Sequence, residues 1–328
     1  YLSMIKPSIS QILSAADRIR KFQKPTSCIF QSELSKILGS ESYVKIEYLN
    51  PVHSFKIRGA VNLVQQLKES KNINHIFTAS TGNHGAAMSF ACREFSIPIT
   101  VGVPVNADRK KIELIEYFGG QLEFIGEDLD ETKLHMLNSP FQSDQIFIED
   151  GARPEIVAGT ATIGFEILNQ LKSLDAIIVP VGNGALVGGI GTLVKKKNPN
   201  IKIIGIQAEL ASCMEKSFNA RKPINTKTCN TFAGGMAVRV AIPESVELLL
   251  EVVDEMLLVN EDEMKKAMVL YYNFTSQIIE GAGAAALAAS LRYSNKFKDK
   301  KICIIATGAN VDSKLKENVF GHNYLNRS

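Results

Sequence analysis

Lys56 lies where an apolar, strand-like stretch gives way to a helical run, in the segment Ser54–Ala60. Most lysines are solvated surface charges, and a free amine with a pKa near ~10.4 is a poor nucleophile. Here Phe55 is an apolar neighbour, Gly59 permits close packing, and Arg58 is an adjacent cation. Desolvation and a nearby cation both favour the neutral amine, which can condense with an aldehyde. We therefore expect a reactive lysine.

Two glycine-containing loops each join an apolar run to a helical pattern. Gly182-Asn183-Gly184-Ala185-Leu186 follows the run 177–181, an arrangement that aims backbone N–H groups and a helix N-terminus at a phosphate. Alone, such a loop is often only a tight turn. Ser80-Thr81-Gly82-Asn83-His84-Gly85 could likewise be a turn with a Ser/Thr cap. Together, an amine for an aldehyde and a loop for a phosphate predict a pyridoxal-phosphate site.

These motifs, together with Thr307-Gly308-Ala309-Asn310 after the apolar run 302–306, resemble the serine/threonine dehydratase family. That family has the second pyridoxal-phosphate fold type, is tryptophan synthase beta-like, and includes serine racemase. The resemblance covers almost the whole chain. It implies that Lys56 carries the cofactor and later moves the substrate α-proton, with Phe55 beside it in the cofactor site.

The resemblance also implies roles for both glycine loops. The cofactor phosphate would be bound by Gly182, Asn183, Gly184, Ala185 and Leu186. Asn183 and Ala185 depart from the family's longer glycine run, but backbone donors survive both changes. The substrate carboxylate would be held by Ser80, Thr81, Gly82, Asn83 and His84. Asn83 would also bond the pyridine hydroxyl, and His84 would act as a hydrogen-bond donor rather than a metal ligand or nucleophile.

Three more positions are assigned by the resemblance. Thr307 would bond the pyridine nitrogen, and a neutral hydroxyl there makes the cofactor a weaker electron sink, which suits β-elimination. Glu280 precedes a glycine- and alanine-rich helix; such a glutamate is often only a helix-dipole partner, and the resemblance gives it an auxiliary catalytic role. Gly235 would lie in a loop close to the cofactor ring.

Thr81 keeps a second reaction open. Racemases of this family carry a serine here, which delivers a proton to the opposite face of the substrate. Threonine also has a hydroxyl, but its methyl group restricts the rotamer. We therefore expect Thr81 to act in the carboxylate loop, with racemisation as the alternative.

Two positions limit the comparison with the family. Glu209 aligns with a divalent-cation ligand of some racemases, but the following residues lack the acidic partner, so we expect no metal site. The segment Ala158-Gly159-Thr160-Ala161-Thr162 replaces the glutamine and glycine that dehydratases commonly have. We assign it no chemical role.

Composition narrows the class of protein. The 328 residues are 45% hydrophobic and 22% charged, with a net charge of +3, which is ordinary for a globular protein and gives no strong field for nucleic acid or membrane. Five scattered cysteines favour a reducing cytoplasm over a disulfide framework or a metal cluster. No apolar run reaches the roughly 18 residues of a membrane span, and no signal-peptide pattern is present.

The elements that position these residues alternate between strands and helices, which predicts an α/β protein. Strands are expected at 43–49, 75–79, 99–103, 176–181, 203–207 and 303–306, and helices at 8–22, 60–68, 85–94, 109–118 and 186–197. We expect two domains, each with a twisted, mostly parallel sheet covered by helices. Residues 1–68 and 146–328 would form a large cofactor-binding domain, with 69–145 as a small inserted domain and the cofactor between them.

The resulting hypothesis is a pyridoxal-phosphate lyase that converts L-threonine or L-serine to a 2-oxo acid and ammonia by β-elimination. Serine racemase and threo-3-hydroxyaspartate dehydratase are the enzyme alternatives, and a catalytically silent cofactor-binding protein is the non-enzyme alternative. The resemblance suggests a homodimer. Only a short segment follows Asn310, so we expect no C-terminal regulatory domain and no inhibition by isoleucine.

Overall fold

A computed structural model describes residues 5–70, 72–151 and 153–321. The strands of this part of the chain are β1 (Cys28–Phe30), β2 (Glu41–Ile46), β3 (His75–Ala79), β4 (Ile99–Val103), β5 (Gln121–Phe124), β6 (Gln145–Phe147), β7 (Ala176–Pro180), β8 (Lys202–Ala208), β9 (Glu255–Val259) and β10 (Lys301–Ala306).

The helices are α1 (Ile9–Ile19), α2 (Ser32–Leu38), α3 (Lys56–Ser70), α4 (Asn83–Glu94), α5 (Arg109–Tyr117), α6 (Leu129–Leu137), α7 (Pro154–Gln170), α8 (Ala185–Lys197), α9 (Cys213–Ala220), α10 (Pro243–Val252), α11 (Glu261–Thr275), α12 (Gly281–Arg292), α13 (Ser294–Phe297) and α14 (Ser313–Phe320). Short 3-10 turns occupy Glu209–Ala211 and Gly234–Met236.

The strands form two sheets. The larger has the order β1-β2-β10-β7-β8-β9, and only the β1–β2 pair is antiparallel. The smaller has the order β5-β4-β3-β6 and is parallel throughout. Parallel strands are usually buried on both faces, and helices supply that cover here. The expected α/β class, with mostly parallel sheets covered by helices, is confirmed.

The division into two domains stays a prediction. The small sheet ends with β6 at Phe147, two residues past the expected boundary at 145. The ends of the expected large domain, residues 1–4 and 322–328, lie outside the described residues.

Helix α3 begins earlier than the sequence pattern indicated, at Lys56 rather than at residue 60. Gly59 is a weak helix former, so the sequence pattern did not indicate the first turn of α3. It is needed because a Cβ on Gly59 would lie 2.9 Å from Ile156 Cγ2, and one on Gly159 would lie 2.5 Å from the Arg58 carbonyl oxygen. The first turn of α3 therefore packs backbone against backbone on α7. This contact gives Gly159 a structural role in the segment 158–162.

Helix α12 is the glycine- and alanine-rich helix expected after Glu280. Residues 281–290 are all buried, and most of them are glycine or alanine. A Cβ on Gly283 would lie 2.6 Å from the Gly308 carbonyl oxygen. Small side chains thus let α12 pack directly against the loop that follows β10.

The loops singled out from the sequence leave carboxyl ends of strands. Residues 80–85 follow β3, residues 182–184 follow β7, and residues 307–310 follow β10. Open α/β sheets usually bind ligands at this edge. Among the described residues, no helix combines the length and apolar character that crossing a bilayer requires. The five cysteines are free thiols.

Candidate active site

Lys56 is the first residue of α3, and its side chain is largely buried, with 17% exposed. Its Nζ lies 2.6 Å from both carboxylate oxygens of Asp150. The same nitrogen is 5.3 Å from the centre of the Phe55 ring. The amine is therefore held at a fixed point between an apolar ring and a carboxylate.

Asp150 is a site residue that the sequence analysis missed. It comes three residues after the end of β6, 94 positions from Lys56. Burial by itself would raise the pKa of the Asp150 carboxyl, but the charges of Lys56 and His84 and the hydrogen bond from Lys56 hold it below its usual range. Its position after a strand of a parallel sheet was the one signal that could have found it. The carboxylate is thus the counter-ion of the candidate catalytic amine.

Arg58 does not serve as the free cation expected beside Lys56. Its guanidinium is fully buried and donates hydrogen bonds to Glu47 at 2.7 and 3.0 Å and to Glu166 at 2.7 and 2.9 Å. Lys45 is also fully buried and donates to Glu166 at 2.6 Å. Because two carboxylates neutralise the guanidinium, the expected electrostatic effect of Arg58 on the amine of Lys56 has to be discarded. Arg58 instead ties α3 to Glu47, the residue after β2, and to α7.

The loop 80–85 carries unpaired backbone donors. The N–H groups of Thr81, Asn83 and His84 have no hydrogen-bond acceptor among the residues that the structure describes, whereas Gly82 donates to the Ser80 hydroxyl at 3.2 Å. Thr81 and Asn83 are half-buried and His84 is buried, and the N–H groups of a first helical turn lack acceptors within the helix. This loop can therefore bind an anionic group, as expected for the substrate carboxylate.

His84 is buried at the start of α4. Its Nε2 lies 3.1 Å from the Thr78 hydroxyl, and its Nδ1 lies 3.4 Å from Asp150. Burial lowers the pKa of His84 to about 4, although the charge of Asp150 opposes this shift. The ring is therefore neutral near pH 7 and supplies one N–H donor.

Asn83 belongs to a chain of side-chain hydrogen bonds. Its Nδ2 donates to Glu280 Oε1 at 2.8 Å, and its Oδ1 accepts from Asn310 Nδ2 at 2.7 Å. Asn310 Nδ2 also donates to the Val52 carbonyl at 2.9 Å. These bonds fix the orientation of the Asn83 amide. They also join the loop after β3 to the loop after β10.

Glu280 is half-buried, and burial raises the pKa of its carboxyl to about 7, while the hydrogen bond from Asn83 and the charge of Lys56 lower it only in part. The folded protein therefore keeps this proton at pH values where an ordinary glutamate, with a pKa of 4.5, has lost it. Its contribution to stability is present below pH 4.5 and is lost as the pH rises to about 7.

We expect Glu280→Gln, measured on the cofactor-free protein, to gain stability relative to the wild type as the pH rises through this window, because glutamine cannot ionise. The relative free energy of unfolding should change by on the order of 2 kcal/mol. Urea unfolding at several pH values measures it. The exposed Glu247→Gln substitution on α10 is the control, and a pH-independent difference for Glu280→Gln would contradict the prediction.

The glycine loop after β7 has the features of a phosphate cradle. Gly184 has φ +92°, a left-handed conformation that favours glycine. The N–H groups of residues 182–187 have no acceptor in the described part of the chain, and α8 starts here without a side-chain cap. Asn183 Nδ2 donates to the Asp150 carbonyl at 3.1 Å. An anion binds well at such a helix start.

Gly182 cannot carry a side chain, because a Cβ there would lie 2.4 Å from the Gly235 carbonyl oxygen. We expect Gly182→Ala to lower the free energy of unfolding by about 1–3 kcal/mol, since backbone has to move. Gly234→Ala is the matched control: a Cβ there meets nothing within 4 Å, and the change should stay within about 1 kcal/mol. Denaturant unfolding of both variants tests the difference, and equal effects would show that this contact is not tight.

Thr307 is buried, with 3% exposed, and its hydroxyl has no hydrogen-bond partner among the described residues. The Phe55 N–H donates to the Thr307 carbonyl at 3.0 Å, and Ser54 forms a bridge with Gly308. Thr307 is therefore tied directly to the segment that carries Lys56. A Cβ on Gly308 would lie 2.4 Å from Glu280 Oε1, so Glu280 adjoins the same loop.

The residues present fit pyridoxal phosphate. The unpaired N–H groups at the start of α8 suit its phosphate, the Lys56 amine suits its aldehyde, and the Thr307 hydroxyl suits its ring nitrogen. Asp150 contacts both Lys56 and Asn183, and the carbonyl of Thr307 accepts a hydrogen bond from Phe55 beside Lys56. Gly235 lies beside the phosphate cradle, 2.4 Å from the point where a Gly182 Cβ would be.

Glu209 lies away from this set. Its carboxylate accepts a hydrogen bond from Arg292 at 2.6 Å, and Arg292 also pairs with Glu263 at 3.0 Å. In the described part of the chain, no group of three or more His, Cys, Asp or Glu side chains could hold a metal ion.

Comparison with known proteins agrees with this geometry. The profile of the family described as pyridoxal-phosphate dependent enzyme matches residues 19–308. The L-threonine ammonia-lyase of Thermotoga maritima is 33% identical over 307 residues, which are 93% of this chain and 76% of that protein. The processed form of threonine deaminase isoform 2 from Solanum lycopersicum superposes with a TM-score of 0.87 at 30% identity, covering 96% of this chain and 94% of that one.

Maize serine racemase superposes with a TM-score of 0.90 at 26% identity, covering 98% of this chain and all of that one (100%). The profile match spans most of the chain and includes Lys56, both glycine loops and Thr307. The chain therefore belongs to the family of pyridoxal-phosphate dependent enzymes.

Proposed function

We propose that this enzyme dehydrates and deaminates L-threonine or L-serine to a 2-oxo acid and ammonia. The main support is that Lys56, the cradle at 182–186 and the backbone of Thr307 are joined by direct contacts around one site. Relatives named L-threonine ammonia-lyase and threonine deaminase favour the same reaction.

Bound pyridoxal phosphate supplies an electron sink for the carbanion at the substrate α-carbon. In our proposal Lys56 takes the α-proton, because its amine is free to act as a base once the substrate has replaced it. The N–H groups of the loop 80–85 orient the substrate carboxylate, which fixes the α-C–H bond relative to the amine. The hydroxyl at the β-carbon then leaves with its electron pair, and the enamine that results hydrolyses to the 2-oxo acid and ammonia.

In this proposal the carboxamide of Asn83 and the carboxyl of Glu280 act on the cofactor ring. Asn83 binds the ring hydroxyl, and its orientation is set by Glu280 and Asn310. Since the pKa of Glu280 is raised to about 7, this residue can keep a proton near neutrality and donate a hydrogen bond. We assign Glu280 an auxiliary role on this basis.

Serine racemase activity is the second candidate, and Thr81 is the residue that favours it. Its hydroxyl belongs to the loop proposed for the substrate carboxylate, and maize serine racemase has the same fold over 98% of this chain. A hydroxyl on the far face of the α-carbon could return a proton with inverted configuration. The methyl group of Thr81 restricts the rotamers available for that transfer.

The test uses the purified enzyme with its cofactor. We expect a yellow protein that releases 2-oxo acid from L-serine or L-threonine, with little D-serine in the residual substrate. Chiral analysis that finds mainly D-serine would replace the lyase proposal with racemisation. A coloured protein that turns over neither amino acid would indicate a catalytically silent binding protein.

We further propose a homodimer in a reducing cytoplasm. The resemblance to the dehydratase family supports the dimer, and five free cysteines without a disulfide support the compartment. Light scattering of the purified protein measures the mass, and a monomer at micromolar concentration would contradict the dimer. Fractionation of cells that express the chain tests the location.

A further inference from the structure

Asp150 occupies a position between the candidate base and the loop proposed for the substrate carboxylate. Its oxygens lie 2.6 Å from Lys56 Nζ, and one of them lies 3.4 Å from His84 Nδ1. Its backbone is anchored by Asn183, which donates to the Asp150 carbonyl at 3.1 Å. Asp150 therefore adjoins both groups that the proposed mechanism assigns to the substrate.

The negative charge of Asp150 loses its main partner when the enzyme is loaded. Once Lys56 is bonded to the cofactor, its nitrogen is no longer a free ammonium beside the carboxylate. His84 is neutral near pH 7, since its pKa is about 4. Lys133, the next cation that acts on Asp150, pairs with Glu149 at 3.2 Å. The side chain of the substrate therefore faces a carboxylate with little compensation.

We infer that Asp150 selects substrates by the charge of the group on their β-carbon. This inference rests on the proposed β-elimination. A neutral hydroxyl can donate a hydrogen bond to the carboxylate, and a β-ammonium group can pair with it. A second carboxylate is repelled at short range. Neutral and cationic side chains are thus accepted, and anionic ones such as that of threo-3-hydroxyaspartate are rejected.

Because Asp150 accepts a cationic group on the β-carbon, ammonia can also be the leaving group. In L-2,3-diaminopropionate, Lys56 takes the α-proton, the bond between the β-carbon and nitrogen breaks, and the nitrogen leaves as ammonia with the electron pair. Water then hydrolyses the enamine to pyruvate and a second ammonia. No oxidant or reductant is needed. The step differs from serine dehydration only in its leaving group.

Binding of unreactive amino acids tests the inference separately from turnover. L-Asparagine and L-aspartate have nearly the same shape, differ in charge, and lack a β-leaving group. We expect the holoenzyme, followed by cofactor absorbance, to bind asparagine at least about tenfold more tightly than aspartate. In Asp150→Asn this ratio should fall below about threefold, whereas Asp150→Glu should keep it.

Two further variants complete the comparison. Glu247→Gln removes the same charge from an exposed position of α10 and should leave the ratio unchanged. Asp150→Ser is a second neutral substitution, in case Asp150→Asn does not fold. Turnover gives a parallel measure: kcat/KM for L-2,3-diaminopropionate relative to L-serine should fall about tenfold in the neutral variants.

The outcomes distinguish this inference from the proposed function. An asparagine preference that both neutral Asp150 variants retain, or that the wild type lacks, overturns the inference even if serine is dehydrated. A preference that disappears in the neutral variants supports the inference even if no 2-oxo acid is released from serine or threonine. In that second case only the proposed reaction fails.

Discussion

Lys56→Arg is expected to abolish 2-oxo acid release, with a loss of about 10⁴-fold. Arginine keeps the positive charge beside Asp150, but its guanidinium stays protonated, so it can neither bond to the cofactor aldehyde nor remove the α-proton. The variant should lack the absorbance of the lysine-bound cofactor. Release of 2-oxo acid and the absorbance spectrum together measure both losses.

Lys68→Arg is the control for this substitution, because it makes the same exchange at an exposed position of the same helix. It should retain wild-type activity. Borohydride reduction followed by peptide mapping locates the attachment directly. A pyridoxyl group on any lysine other than Lys56 would contradict the assignment of the catalytic amine.

Arg58→Met should lower the free energy of unfolding by about 3–5 kcal/mol. The substitution leaves the carboxylates of Glu47 and Glu166 buried without the guanidinium that neutralises them. Lys45 stays 2.6 Å from Glu166 and 3.9 Å from Glu47, so a single cation remains for two carboxylates. Removing one member of a buried ion network is strongly destabilising for this reason. The midpoint of urea unfolding measures the effect.

Arg20→Met provides the matched control. Arg20 is 60% exposed in its side chain and pairs with Asp17 at 3.7 Å, so its loss should change the free energy of unfolding by less than about 0.5 kcal/mol. If Arg58→Met were as mild as the control, water or another cation would have to neutralise Glu47 and Glu166. The ion network of Arg58, Lys45, Glu47 and Glu166 would then not be the only source of charge compensation for the two carboxylates.

Local sequence pattern was sufficient for the strands that line the site. The strands at 75–79 and 99–103 lie at the residues that the apolar runs predicted. Each run is short, rich in β-branched residues and bounded by polar or turn-forming residues, so few other structures were compatible with it. The glycine loops followed from the same runs, since they begin where the strands end.

Long-range contacts were beyond that pattern. Asp150 reaches Lys56 across 94 residues, and its role depends on how two sheets face each other. The partners of Arg58 come from the residue after β2 and from α7, which no local signal connects to α3. Even the first turn of α3 was missed, because the glycine that weakens its helical signal is required by packing on α7. Site chemistry could be predicted from residue types, but the counter-charges could not.

The small side chains of α12 affect how the specificity of this enzyme can change during evolution. Gly283 touches the backbone of the segment that presents Thr307, so a bulkier residue there would displace that hydroxyl without itself reaching the ligand. Random mutagenesis should consequently recover altered specificity from the buried glycine and alanine positions of α12. These positions therefore accept only small side chains, and this requirement limits how far the catalytic pocket can change during evolution.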